Sequence, residues 1–213
     1  MGESEQFIKL CDVIDTLLSE DGCAWDRAQT IESLRPNLLE ESYEVADAID
    51  NNDKTALREE LGDMFLPIIM ISRIAEKDGH FSLADVLTDA AEKLVRRHTH
   101  IFGGDNADTP EDVIDIWESN KNKEKSISTP FENMMAVPKA LPALARAQKV
   151  LKRSGKEFSI LSLKEELIRI LNEPKMENDG KILLLMAALL TKMQINAEFS
   201  LTKAVQEFIN NSR

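Results

Sequence analysis

Aromatic side chains are scarce in this sequence, at 5% of residues, so its core must come from Leu, Ile, Val, Ala and Met. Glycine (8) and proline (7) are few among 213 residues, and helix formers dominate. That balance points to an all-α chain. Two cysteines, Cys11 and Cys23, are too few for a disulfide scaffold and lack metal-site spacing. They read as free thiols of a reducing cytoplasm. The longest apolar runs, "MFLPIIMI" and "ILLLMAALL", fall well short of the roughly 20 residues that span a bilayer. Residues 1–20 carry acidic and polar side chains throughout, unlike a signal peptide. Positive charge is in deficit, with a formal net charge of −12. A surface this acidic repels phosphate polymers and anionic membranes, so neither a nucleic-acid polymer nor a membrane is an expected partner. A local basic patch for a small anion stays compatible with it.

What is present is helical periodicity. It predicts helices over about 3–20, 36–50, 54–77, 82–101 and 110–124, then over about 138–154, 160–172, 179–195 and 198–211. Pro36 suits a first helical turn and Ser82 an N-cap. Nothing alternates with period two for long enough to make a strand. The polar connector "NKEKSISTPFEN" marks a boundary, giving domains over 1–125 and 126–213. The halves resemble each other. "LLEESYEVADAI", "EELGDMFLPIIMIS" and "FSLADVLTDAAEKLVRRH" are followed in the same order by "LKEELIRIL", "ENDGKILLLMAALLT" and "FSLTKAVQEFINNS". Glu165 and Glu166 stand where Glu40 and Glu41 stand. Arg169 replaces Glu44, Asn178 replaces Glu60 and Lys181 replaces Asp63. The second copy is therefore read as degenerate and unable to bind metal well.

The acidic residues of the first copy pose the central question. At about 100° per residue, Leu38, Val45 and Ile49 form an apolar stripe on the 36–50 helix. Glu41 lies beside that stripe and Glu44 further round on the same shoulder, with Glu40 and Asp47 opposite. On the next helix, Leu57, Met64, Pro67, Ile71 and Ile74 form a stripe, with Glu60 in its middle and Asp63 at its edge. Each helix thus aims two carboxylates, at i and i+3, toward the core side. Ionised carboxylates that converge there repel one another and lose hydration. Protonation, basic partners or a divalent cation would relieve them, and the cation fits best. Oxygen-only ligands favour Mg²⁺, or Mn²⁺ as a substitute, over Zn²⁺. A di-iron bundle would need Glu-x-x-His pairs, which are missing. The competing structural explanation is that these acids simply solvate helix faces.

The series "GCAWDRAQT", "SLRPNLLEESYEVADAI", "EELGDMF", "EKLVRRHTHIFG" and "WESNK" resembles the MazG family of nucleoside triphosphate pyrophosphohydrolases, over residues 7–125. The family signature, Glu-Glu-x-x-Glu followed by Glu-x-x-Asp, is Glu40-Glu41-x-x-Glu44 and Glu60-x-x-Asp63 here. The resemblance implies a helical bundle, a homodimer of packed bundles, Mg²⁺ dependence, and hydrolysis of nucleoside triphosphates to monophosphate and pyrophosphate. It matches Glu41, Glu44, Glu60 and Asp63 to the metal ligands, with Glu40 and Glu59 as nearby acids. The second half, through "ALPALARAQKV", resembles the C-terminal half of two-domain members. Ala24, Ile31, Thr99 and Pro67 depart from the family pattern without touching a carboxylate.

A triphosphate also needs cations. Lys93, Arg96 and Arg97 share a helix at i, i+3 and i+4, with Lys121 and Lys123 downstream. Lys93, Arg97 and Lys121 are read as phosphate contacts, although cations in a last helical turn also serve the helix end. Glu40 or Glu41 is the candidate proton acceptor. His98 and His100 suit helix-end roles. Trp117 is a candidate for stacking on a base, whereas Trp25 is expected in the core. Asp26 and Gln29 suit two roles, anchoring their loop or reading a base. A non-catalytic helical nucleotide sensor or adaptor is the alternative to an enzyme.

Overall fold

The computed structural model describes residues 2–172 and 178–212. Among these residues every regular element is helical: α1 (Glu3–Leu18), α2 (Ala24–Arg27), α3 (Arg35–Asp50), α4 (Lys54–Lys77), α5 (Leu83–Arg97), α6 (Thr99–Phe102), α7 (Pro110–Glu124), α8 (Pro130–Met135), α9 (Ala143–Arg153), α10 (Ile160–Asn172), α11 (Asp179–Lys192) and α12 (Ala197–Asn211). They form two compact units, Met1–Phe102 and Gly103–Arg213. No single helix among the described residues is long and apolar enough to cross a membrane.

In the first unit α4 is the organiser, because α1, α3 and α5 all pack on it. Three neighbours require a wide apolar face. Ile69 and Ala75 are fully enclosed, and Met70 and Pro67 are buried with them. Ile69 and Met70 meet Cys11 and Ile14 of α1, together with Leu34 and Leu83. The expected stripe is only half-buried at Met64, Ile71 and Ile74, and Ile49 of α3 stays exposed while Ala48 takes the buried position. Helix α4 continues unbroken through Pro67, which has no N–H to offer the Asp63 carbonyl.

Local chemistry fixes the ends of these helices. Asp53 accepts from the amides of Thr55 (2.9 Å) and Ala56 (3.0 Å) and so caps α4. Asn52 before it adopts φ +54, a left-handed conformation that asparagine tolerates better than most residues. Ser82 and Asp85 form a reciprocal capping box on α5. Gly22 turns so tightly under α1 that a Cβ would strike the Thr16 and Leu17 carbonyls. Arg73 of α4 reaches Asp15 of α1 with an Nη2–Oδ2 bond of 3.0 Å.

In the second unit α9 packs on α8, α11 and α12, and α11 packs on α10 and α12. Buried Gln148 of α9 staples this unit. Its amide donates to Thr191 Oγ1 (3.1 Å) and the Ile195 carbonyl (2.8 Å) and accepts from Ala197 N–H (2.9 Å).

Three expectations change. The connector contains α8, opened by a Thr129–Glu132 capping box that "TPFE" already spells. The next helix begins at Ala143 rather than 138, because Pro138 and Pro142 interrupt the approach. The helix expected over 82–101 breaks at His98 before α6. Since Ile69 is 0% exposed, Ile69→Ala is expected to cost about 2–5 kcal/mol through lost burial and an unfilled cavity. Urea unfolding of the two proteins checks this.

Candidate metal centre

The short turn between α3 and α4 makes them antiparallel neighbours, and the turn sets their register. Glu41 and Asp63 each lie eleven residues from Asn52, and Glu44 and Glu60 each lie eight. With equal rise per residue on both helices, Glu41 comes level with Asp63, and Glu44 with Glu60, along the hairpin. One carboxylate oxygen each from Glu41, Glu60 and Asp63 falls within 4.8 Å of the others, and all three residues are half-buried. Glu44 is exposed and outside that trio, yet close enough to act on it electrostatically. Glu40 is also exposed and, with Glu44 and Tyr43, lines a shallow hollow of about 560 Å³ along α3.

Burial raises the Glu41 carboxyl above its ordinary value of 4.5, and the charges of Glu44, Asp63, Glu60 and Glu40 raise it further. Glu60 is raised by desolvation first, then by Glu44, Glu59 and Asp63. Among the described residues no lysine or arginine forms an ion pair with any of the three. The cluster carries excess negative charge that no described residue of its unit neutralises through an ion pair. Three converging hard oxygen donors suit a divalent cation, with Glu44 within electrostatic reach.

The second unit resolves the same problem differently. Glu166, which aligns with Glu41, accepts from Arg169 Nε and Nη2 at 2.8 Å each and from Lys181 Nζ at 2.5 Å. These bonds hold its carboxyl at about 2. Where the first unit leaves acids facing each other, the second supplies its own cations.

The trio does not include the other anticipated residues. Lys93 is exposed on α5, Arg96 pairs with Glu92 at 3.3 Å, and Arg97 is buried rather than open to solvent. Trp117 is half-buried on α7. Lys121, also on α7, donates to both oxygens of Glu118, at 2.8 and 2.7 Å. Both belong to the second unit. His98 Nδ1 lies 2.7 Å from the Leu94 carbonyl at the end of α5. Trp25 is 59% exposed, which corrects the expectation of a core residue. Helix α2 is a single turn and has too little chain around it to enclose an indole. Gln29 anchors its loop, donating to the Trp25 carbonyl (2.9 Å) and accepting from Ser33 (2.7 Å). The sequence break "NND" between the two helices contains Asn52, and an asparagine pair there is a recognisable turn signal.

A profile of the MazG nucleotide pyrophosphohydrolase domain matches residues 29–102, which hold the whole acidic set. A relative from Escherichia coli strain K12 called nucleoside triphosphate pyrophosphohydrolase is 32% identical over 206 residues, 89% of this chain and 78% of its own length. This chain belongs to the MazG family. A second MazG relative, from Thermotoga maritima, is 32% identical across 95% of this chain and 82% of its own length. Its printed name is nucleoside triphosphate pyrophosphohydrolase/pyrophosphatase MazG. The crystal structure of a MazG-related protein from Thermotoga maritima aligns with 54% of this chain and 98% of its own, at 30% identity and a TM-score of 0.47. The MazG profile spans α3 to α6 and stops short of Trp117 and Lys121.

The raised carboxyls set a sign for stability. Protonation relieves a repulsion that exists only in the fold, so their contribution is full below 4.5 and is lost as pH rises through the raised values. In chelator at pH 7, Asp63→Asn is expected to raise the thermal midpoint above wild type. The difference should shrink as pH falls toward the raised values, and the variant should lose the stabilisation that a divalent cation gives wild type. Thermal melts with and without the cation, across pH, check all three.

Proposed function

We propose that this protein is a Mg²⁺-dependent hydrolase that converts nucleoside triphosphates to monophosphate and pyrophosphate, clearing non-canonical or excess nucleotides. The observation that carries the reading is the uncompensated Glu41–Glu60–Asp63 cluster, set in a chain of the MazG family. Glu41, Glu44, Glu60 and Asp63 are the proposed ligands, and Mn²⁺ is the proposed substitute ion. The bound cation would supply neutralisation of the phosphate charge and polarisation of an attacking water.

The chain's own residues have separate tasks. Glu60 and Asp63 present their carboxylates from α4, and Glu41 presents its own from α3. Their spacing is held by the α3–α4 turn, so little reorganisation is needed when charge develops. Glu40 or Glu41 is the proposed proton acceptor. Glu40 stands outside the trio, on the exposed face of α3. Lys93, Arg96, Arg97 and Lys121 are the proposed phosphate contacts, and Trp117 the proposed base contact.

In this reading residues 1–125 form the catalytic half and 126–213 a degenerate second copy. The packing pattern supports the repeat. Helices α9, α10 and α12 pack on α11 as α1, α3 and α5 pack on α4. The "FSL" match is looser, since Ser82 caps α5 whereas Ser200 lies inside α12 behind the cap residue Asn196. A homodimer is proposed from the first unit's uncovered apolar side chains, among them Ile8 (58% exposed), Phe65 (46%) and Leu87 (51%). A reducing cytoplasm is the proposed location, consistent with free thiols at Cys11 and Cys23.

The test is a panel of canonical and damaged nucleoside triphosphates with Mg²⁺ or Mn²⁺, products resolved by chromatography. Pyrophosphate release is expected for at least one of them. Triphosphate held but never cleaved would replace the enzyme with a sensor. Asp63→Ala is expected to lower kcat/KM about a thousandfold, on the order of the several kcal/mol that a bound cation supplies to the transition state, with the far-ultraviolet helical signal retained. Sedimentation equilibrium is expected to return twice the chain mass, and a monomer at micromolar concentration would remove the dimer.

A further inference from the structure

The second unit contains a feature that the metal centre does not explain. The chain is strongly acidic overall, yet cations gather around the end of α9. Lys149, Lys152 and Arg153 lie at i, i+3 and i+4 on that helix, and Lys156 follows just beyond its last turn. Two neighbouring cavities of the second unit, of about 640 and 510 Å³, share Lys152 and Gly155 as a common wall. Lys149 and Arg153 line the larger, and Lys156 and Lys192 the smaller.

The acids on these walls are already engaged. Glu118 of the larger cavity is bound by Lys121 at 2.7 Å, and Glu157 of the smaller by Lys192 at 2.8 Å. Lys149, Lys152 and Lys156 form no ion pair among the described residues. A helix C-terminus attracts cations within its last turn, which accounts for Lys152 and Arg153. Lys149 precedes that turn and Lys156 follows it. Like charges this close repel, and no described residue of the second unit forms an ion pair with Lys149, Lys152 or Lys156. The larger cavity also presents amide side chains, Asn122, Asn133 and Asn196, and one apolar wall at Ile114. Its volume lies within the range of small-ligand sites, roughly 300–1,000 Å³.

We propose that the cavity pair at the end of α9 is a metal-independent binding site for a small phosphate anion, separate from the carboxylate centre of the first unit. Lys152, on the shared wall, takes the phosphate, and Lys149 and Lys156 flank it from either cavity. The shared chemistry is the phosphate group, carried by pyrophosphate or by a nucleoside monophosphate. The amides and Ile114 favour the nucleotide in the larger cavity.

The test is isothermal titration of the full chain in excess chelator, with inorganic pyrophosphate in one arm and adenosine monophosphate in the other. The carboxylate centre holds no cation under chelation and repels both probes, so heat reports the second site. Saturable binding of either probe, one per chain, is expected. It should persist in Asp63→Asn and weaken about tenfold or more in Lys149→Gln/Lys152→Gln/Lys156→Gln, in keeping with loss of charge-assisted hydrogen bonds. Tighter binding of the monophosphate places a nucleoside in the larger cavity, and tighter binding of pyrophosphate places a bare anion between the lysines. No binding of either probe up to millimolar concentration would overturn the proposal. So would binding that disappears in Asp63→Asn, or binding that survives unchanged in a folded triple variant. Because no arm requires turnover, a failure here is distinct from a failure of the hydrolase reading.

Discussion

The mutual repulsion of carboxylates across the α3–α4 hairpin is the constraint on which the functional reading rests. Each acid alone would be an ordinary helix residue. Together they face each other at matched heights, because Asn52 turns the chain at the midpoint between Glu41 and Asp63. Desolvation and like charge then both disfavour ionisation of Glu41 and Glu60. A fold that keeps such a cluster carries a standing cost, and a bound cation would offset it.

The second unit provides a comparison within one chain. Its packed helices α10 and α11 bring Arg169 and Lys181 to Glu166 and satisfy that carboxylate directly. A carboxylate already gripped by two cations gains little from a metal. The two units thus represent two solutions to one electrostatic problem, one open to an external ion and one closed by internal lysine and arginine. The closed unit keeps its packing, since α11 is still surrounded by α9, α10 and α12. The second unit packs without converging acids, its buried apolar residues including Leu163, Ile170, Ala187 and Ala188.

Stability and chemistry occupy different parts of α4. Its C-terminal half is enclosed, with Ile69 and Ala75 inaccessible, and is tied to α1 through Arg73 and Asp15. Its N-terminal half is more open and carries Glu60 and Asp63 half-buried beside exposed Leu61 and Phe65. Rigid packing at one end holds the acids in place at the other. The exposed apolar side chains beside the acids are consistent with further cover from a second copy of the chain.

Much of this was legible in one dimension. Helical class, the α3–α4 pair and the Ser82 cap follow from periodicity and capping chemistry, both of which act within a few residues. Arg169 and Lys181, the cations that grip Glu166, are likewise visible in the sequence. Other features needed the third dimension. Periodicity identified an apolar stripe on α4, but three packing partners buried a wider face centred on Ile69. Trp25 reads as a core residue by type and is exposed, because its one-turn helix has nothing to fold over it. The burial of Arg97 could not be read from the sequence, since burial depends on neighbours distant in sequence. Composition placed acids near a core, but only the hairpin register selected Glu41, Glu60 and Asp63 as the three that meet. Distances across a turn depend on the conformation of Asn52, and no pattern along either helix alone contains that angle.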